Sequence, residues 1–127
     1  MNRLAAVVLA WILAGPIPAR VDLVMVAAVV RAPQAFELVA SWYGPRFEGK
    51  PTASGEAFDS QKLTAAHRTL PMGSILLVEF QGRRVEVRVN DRGPFIHGRD
   101  IDLSQGAATV LGIIGAGVGT VKVRRLA

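Results

Sequence analysis

The sequence predicts a mainly β domain, a small barrel of about six strands with one or two short helices. Thirteen glycines and seven prolines among 127 residues indicate many turns. From Phe36 onward, short apolar stretches alternate with turn residues, and a helical spacing of apolar residues is sustained only in the last quarter. Because half of the residues are apolar and 20% are charged, the composition excludes a disordered chain. This length suits one domain with a single core.

The N-terminal segment, residues 1–35, is predicted to be a signal peptide or hydrophobic leader that precedes a folded domain at residues 36–127. A charged start at Arg3, an apolar run over Leu4–Ala14 and a proline-containing exit ending at Ala19 are typical of export signals. The apolar run is too short to span a bilayer comfortably. We therefore expect export to the periplasm as a soluble protein, with transient membrane association through this segment left open. A helix of the folded domain is the alternative, which the two prolines that interrupt the first apolar run, Pro16 and Pro18, disfavour.

The first half of the domain is predicted to contain one strand and a long loop. Leu38–Tyr43 has the composition of a strand, and Gly44-Pro45 and Gly49-Lys50-Pro51 interrupt the chain after it. Ser60–His67 is predicted to hold a short helical turn.

The middle of the domain is predicted to form a β-hairpin. Ile75–Phe80 and Arg84–Asn90 have strand composition, and Gln81-Gly82 in the connection between them suits a tight turn. In the second strand valines alternate with polar residues, which places one face in a core and the other toward solvent or a groove. The alternating valines are Val85, Val87 and Val89.

The last quarter is predicted to contain a helix and a closing strand. Asp102-Leu103-Ser104 is expected to open the helix, and Gly115 is a natural stop. Apolar residues at the spacing of one buried helical face are Ala107, Val110, Leu111 and Ile114. Val121–Arg124 then alternates valine with basic residues, as a strand does.

The charge and the residue content restrict the kinds of partner and chemistry. A formal net charge of +5 indicates an anionic partner, either a membrane surface or a carboxylate-bearing polymer such as the bacterial cell wall. Nucleic acid is not expected, because the basic residues are scattered rather than clustered. The sequence has no cysteine, which excludes disulfides, thiolate catalysis and a lipid-attachment cysteine. Two distant histidines and no cysteine provide no obvious metal site, and no cofactor is expected.

Asp91 is the first candidate for chemistry. It ends an alternating strand and is held between Asn90, Arg92 and the Gly93-Pro94 turn. A carboxyl fixed in this way can serve as an acid or base. The alternative is a turn-capping side chain bonded to the amides of Gly93 or Phe95, or an ion pair with Arg92 or Arg99.

A second group of candidates surrounds the first in sequence. Glu56 lies among small residues that leave the backbone free to approach a ligand, although an exposed loop acid is the alternative. Paired carboxyl groups, one protonated and one ionised, are the usual requirement for glycosidic bond cleavage. His67 could hold a carboxylate or a sugar hydroxyl, or it could be structural. Flat aromatic rings suit sugar stacking, with core packing as the alternative; the expected substrate-binding residues are Trp42, Tyr43, Phe47, Ser54 and Phe95.

Five ordered blocks in the sequence closely resemble the rare lipoprotein A family. They are Ala40–Gly44, Thr52–Phe58, Thr64–His67 with Thr69–Pro71, Val87–Phe95 and Arg99–Ser104. The resemblance implies a double-psi β-barrel, similar to those of expansins and family 45 glycoside hydrolases. It also implies endolytic transglycosylase activity on peptidoglycan glycan strands stripped of their stem peptides. A non-catalytic, expansin-like wall-binding or wall-loosening module is the alternative function.

The resemblance also assigns roles. The family's catalytic acids match Asp91 and Glu56, and its neighbouring polar residue matches His67; Asn90 and Arg92 are expected to support the site. Asp91 would protonate the glycosidic oxygen and then act as a base while the muramoyl 6-hydroxyl closes onto C1, leaving a 1,6-anhydro end. Glu56 would stabilise the developing positive charge or keep Asp91 correctly protonated. Neither a metal nor an organic cofactor is required.

Overall fold

The computed structural model describes residues 34–127, so the predicted leader lies outside the described part of the chain up to residue 33. Within the described part, six strands form a closed barrel in the order β1-β5-β2-β4-β3-β6. No helix among these residues is long and apolar enough to cross a bilayer. The strands are β1 (Phe36–Tyr43), β2 (Thr64–His67), β3 (Ile75–Phe80), β4 (Arg83–Asp91), β5 (Ile101–Ser104) and β6 (Gly119–Arg125), and α1 (Gln105–Leu111) follows β5. A single 3-10 turn lies at Pro45–Phe47.

The core fills the inside of this barrel with alternate side chains of the strands. Val85, Val87 and Val89 of β4 are buried while Glu86 is exposed, as the alternation predicts. The neighbouring strands supply matching apolar residues, and α1 covers one side of the core; these residues are Leu76, Val78, Val121, Val123, Ala107, Ala108 and Leu111. Closure of the sheet leaves no long unpaired edge for another chain to extend.

The predicted hairpin is confirmed. β3 and β4 pair antiparallel from Phe80↔Arg83 onward, and both turn residues have positive φ, 47° at Gln81 and 79° at Gly82. This pair of left-handed residues matches the right-handed twist of the two strands. The first and last predicted strands are also confirmed; β1 begins two residues earlier than predicted, and β6 extends beyond both of its predicted ends.

Two other predictions were wrong. Thr64–His67 is strand β2 rather than part of a helical turn, and it pairs with both β4 and β5. Residues 102–104 belong to β5, so the helix begins only at Gln105, where the Ser104 hydroxyl accepts a hydrogen bond from the Ala107 amide at 3.2 Å. The helix ends at Gly112 in the left-handed conformation, before Gly115. Each end is about one turn short of the prediction, which places Ile114 beyond the helix. Val110, expected on the buried face, lies within the helix but is 50% exposed.

Gly106 is required where α1 crosses the loop before β2. A Cβ at this position would lie 2.5 Å from the carbonyl oxygen of Gln61. We expect Gly106→Ala to destabilise the domain by about 1–3 kcal/mol, because the backbone must move and this strain exceeds the roughly 1 kcal/mol gained from helix propensity. Urea unfolding would measure the effect, with Gly115→Ala as the control because a Cβ there meets nothing within 4 Å. Equal stability of the two variants would contradict the close approach.

Candidate active site

Asp91 lies at the end of β4 with one carboxylate oxygen held by the backbone. Its Oδ1 accepts hydrogen bonds from the amides of Ala53 and Arg92, both at 2.9 Å. The loop that carries Ala53 is joined to β4 a second time, because the Ser54 amide donates to the Asn90 carbonyl at 3.0 Å. The amides of Gly93 and Phe95 are not its donors, and no ion pair of Asp91 occurs within residues 34–127. The expected turn cap is therefore absent, and Oδ2 is left without a protein donor in this part of the chain.

Glu56 is held by β4 as well, through an arginine and an asparagine. Arg88 binds both of its carboxylate oxygens, with Nη1 2.8 Å from Oε1 and Nη2 3.1 Å from Oε2. The Asn90 Nδ2 donates to Oε1 at 2.9 Å. Arg88 and Asn90 are two residues apart on one strand, so both side chains project to the same side. The hydrogen bonds from Arg88 and then Asn90 lower the pKa of Glu56 to about 2, and it is an anion at neutral pH.

Acid unfolding should reveal this interaction. Because the pKa of Glu56 in the folded state lies below its ordinary value of 4.5, its contribution to stability is complete above that value and is lost as the pH falls toward 2. We expect Glu56→Gln to be less stable than the wild type at pH 6, and the difference in unfolding free energy to shrink between pH 4.5 and pH 2. Urea denaturation across this range would measure it. A difference that is constant with pH would contradict the assigned ion pair.

A cleft of about 280 Å³ opens beside Asp91. Tyr43 forms one wall, where its ring stacks on Phe58 at 4.6 Å and meets Phe47 edge-on at 5.8 Å between ring centroids. Burial, followed by the negative charges of Asp91 and Asp102, raises the pKa of Tyr43, so its hydroxyl is neutral. The other wall and the floor include residues from the turn after β4 and from β5: Asp91, Arg92, Gly93, Pro94, Phe95 and Asp102.

A second cleft, of about 580 Å³, continues the first along the barrel surface. The two share lining residues, so together they form one groove; the shared residues are Tyr43, Phe47, Pro94, Phe95 and Asp102. Trp42, Arg46, Ile96 and Arg99 extend it. Phe95 is 81% exposed, which is unusual for a large aromatic side chain and suits a surface on which a sugar ring stacks.

The structure brings most of the predicted site residues to this groove. Tyr43, Phe47, Asp91, Arg92 and Phe95 line the first cleft, and Trp42 lines the second. Glu56, Ser54, His67 and Asn90 line neither of them. Their proposed roles stay predictions. Because they line neither cleft, they would affect the substrate indirectly, by positioning the residues to which they are hydrogen-bonded.

The supporting residues are held by hydrogen bonds of their own. His67 accepts the amides of Thr69 and Leu70 on Nδ1, at 3.2 and 3.1 Å. Burial and the charges of Arg68 and Arg92 lower the pKa of His67, so the ring is neutral at pH 7 with its proton on Nε2. Arg92 donates Nη1 to the carbonyls of His67 and Leu70, which fixes the segment after β2 against the turn after β4.

Asp102 is a groove residue that the sequence did not single out. Its Oδ1 accepts a hydrogen bond from the Ser41 hydroxyl at 2.9 Å. Burial raises the pKa of Asp102, with a smaller contribution in the same direction from Asp91. Arg46 and Arg99 were also missed as groove residues. The alternation of buried Ile101, polar Asp102 and buried Leu103 was the available signal, and the incorrect helix start concealed it.

No group of three or more metal-binding side chains is gathered among residues 34–127.

Comparison with known proteins assigns the family. Residues 35–123 match a double-psi β-barrel family described as lytic transglycolase. The chain belongs to this family, the rare lipoprotein A (RlpA) family. It is 50% identical over 96 residues to the endolytic peptidoglycan transglycosylase RlpA of Campylobacter jejuni, covering 74% of this chain and 35% of that protein. It is 52% identical over 87 residues to the protein of the same name from Pasteurella multocida, covering 67% of this chain and 30% of that protein.

The match concerns one domain, since the chain spans about a third of the length of these relatives. Among solved structures, the expansin of Clavibacter michiganensis superimposes with a TM-score of 0.61 at 20% identity, covering 74% of this RlpA-family chain and 51% of the expansin. At that identity the likeness concerns the fold alone. The predicted family and double-psi β-barrel fold are confirmed.

Proposed function

We propose that this domain is an endolytic peptidoglycan transglycosylase that cleaves between N-acetylmuramic acid and N-acetylglucosamine in peptide-free glycan strands. The observation that carries the proposal is the setting of Asp91, one oxygen of which is fixed by two amides while the other is free in an aromatic-walled groove. The names of the relatives from Campylobacter jejuni and Pasteurella multocida support the same reaction. Its place of action would be the periplasm, and no cofactor is required.

The proposed reaction needs one proton donor and an internal nucleophile. Asp91 gives its proton to the glycosidic oxygen as the bond from C1 breaks, and the 6-hydroxyl of the muramoyl residue forms a new bond to C1. The 6-hydroxyl loses its proton, so a 1,6-anhydro end remains and no water is consumed. Fixing Oδ1 keeps the free oxygen of Asp91 aimed into the groove, which reduces the entropic cost of reaching the reactive arrangement.

The cations of the groove suit a peptide-free strand. Removal of a stem peptide leaves a free lactyl carboxylate on each muramoyl residue, so the bare strand is a polyanion. Arg46 and Arg99 line the second cleft, and neither has an ion-pair partner within residues 34–127. Arg46 also lies 4.8 Å from the ring centroid of Phe47, which places its charge directly beside an aromatic wall.

Changing the charge of the substrate tests directly whether these arginines bind its carboxylates. We expect the double variant Arg46→Gln, Arg99→Gln to raise KM about threefold to tenfold on bare glycan, because each exposed ion pair contributes up to about 1 kcal/mol. Arg124→Gln, an exposed change on β6 outside the groove, should leave KM unchanged. With glycan whose carboxylates are esterified, wild type and double variant should have equal KM. An equal loss on both substrates would show that the arginines do not recognise carboxylates.

A non-catalytic wall-binding or wall-loosening module is the second candidate function. The net charge of +5 favours it, because the bare glycan is a polyanion. To separate the two, purified protein is incubated with bare glycan, and both bound protein and new anhydromuramoyl ends are measured by mass spectrometry. The transglycosylase predicts new ends that increase with time, whereas the binding module predicts binding without new ends.

A further inference from the structure

Asp91 and Asp102 lie at the same level of the barrel, two strands apart. In the strand register Asp102 on β5 pairs with Ala66 on β2, and Ala66 pairs with Asp91 on β4. Neighbouring strands are about 4.8 Å apart, so the two backbones are separated by roughly 10 Å. Only the methyl group of Ala66 stands between them, which leaves the space open, and both aspartates line the same 280 Å³ cleft.

Asp102 has the surroundings of a group that exchanges protons. It is partly buried, and its Oδ1 is held by Ser41, a residue only 2% exposed. The charged or titratable groups that influence it are Asp91 on β4, Arg99 before β5 and Tyr43 on β1. Burial and Asp91 raise its pKa above the ordinary value, while Ser41 and Arg99 oppose the shift. A carboxylate with a raised pKa is a stronger base than an ordinary aspartate.

Glu56 is not placed for this role. Both of its oxygens are bound by Arg88, and Asn90 takes a further acceptor position on Oε1. It lines neither cleft, whereas Asp102 lines both of them. The carboxyl that lines the same cleft as Asp91 is therefore Asp102.

We propose that Asp102 is the base of the reaction and Asp91 its acid, both acting in the same cleft, an inference that rests on the proposed transglycosylase function. Asp91 gives its proton to the glycosidic oxygen as the C1–O bond breaks. Asp102 takes the proton of the muramoyl 6-hydroxyl as the O6–C1 bond forms. The pair starts and ends with one proton, and its return to Asp91 through solvent completes the cycle.

The test compares Asp102→Asn with wild type on bare glycan across pH 4 to 8. We expect kcat to fall roughly 100-fold or more while KM changes less than twofold. The pH profile should lose the limb in which the wild type gains activity as the base ionises. Asp102→Glu should recover part of kcat, because it restores a carboxylate. Asp59→Asn is the matched control, since Asp59 lines neither cleft and Asn can still accept the Gln61 amide.

The outcomes separate this inference from the proposed function. If wild type yields no anhydro ends, the transglycosylase proposal itself fails. If wild type is active and Asp102→Asn retains kcat within about twofold with an unchanged pH profile, the role of Asp102 is overturned. Should Asp102→Asn unfold, Ser41→Ala replaces it, because that change removes only the hydroxyl on Asp102. A shifted pH profile of kcat in Ser41→Ala supports the inference, and an unchanged profile overturns it.

Discussion

Replacing Asp91 by Asn is expected to lower kcat by roughly 1000-fold or more, the largest effect of any single substitution in this domain. The amide oxygen of Asn can still accept the Ala53 and Arg92 hydrogen bonds, so the turn after β4 keeps its shape. The amide nitrogen has no acidic proton to transfer to the glycosidic oxygen. Glycan binding should therefore persist while cleavage stops.

Measuring anhydromuramoyl ends and glycan binding on the same preparation would check this expectation. Asp59→Asn serves as the control for loss of one negative charge outside the groove. Retention of more than a tenth of wild-type kcat in Asp91→Asn would mean that another group protonates the leaving oxygen.

Glu56→Gln is also expected to lower kcat, on the order of 100-fold, because it misplaces the loop that positions Asp91. Gln retains an acceptor for Asn90 but removes the negative charge that pairs with Arg88. The loop of residues 52–58, which carries the Ala53 donor to Asp91, therefore loses an anchor.

Glu86→Gln is the matched control, because Glu86 is exposed on the same strand as Arg88 and makes no ion pair within the described residues. Normal kcat in Glu86→Gln with reduced kcat in Glu56→Gln would support a specific role. Equal activity of both variants would show that Glu56 only stabilises the fold.

The hairpin and the barrel core could be predicted because their signals are local. The alternating valines of β4 predict a strand and the Gln81-Gly82 pair predicts a turn, each from a few neighbouring residues. The strands β2 and β5 could not be predicted in this way, since each has only four residues and pairs with strands distant in sequence. They form because the barrel closes around them, and a short stretch of sequence carries no signal of that closure.

The acid of the site was predicted because it stood in a distinctive turn. Asp91 met that condition, and the structure places it in the groove. Asp102 did not, because β5 was interpreted as the start of a helix and its alternation was hidden. The ion pair of Glu56 with Arg88 joins residues 32 positions apart, so only the folded barrel brings them together. The register through Ala66, which sets Asp102 opposite Asp91, has the same origin.

The central claim is cleavage by internal attack, and digestion of bare glycan in ¹⁸O-labelled water tests it most directly. The products are separated, and their masses are measured by mass spectrometry. Internal attack predicts new 1,6-anhydromuramoyl ends, whose mass is lower than that of reducing ends by one water and which contain no ¹⁸O. New reducing ends that carry ¹⁸O, or no new ends at all, would contradict it.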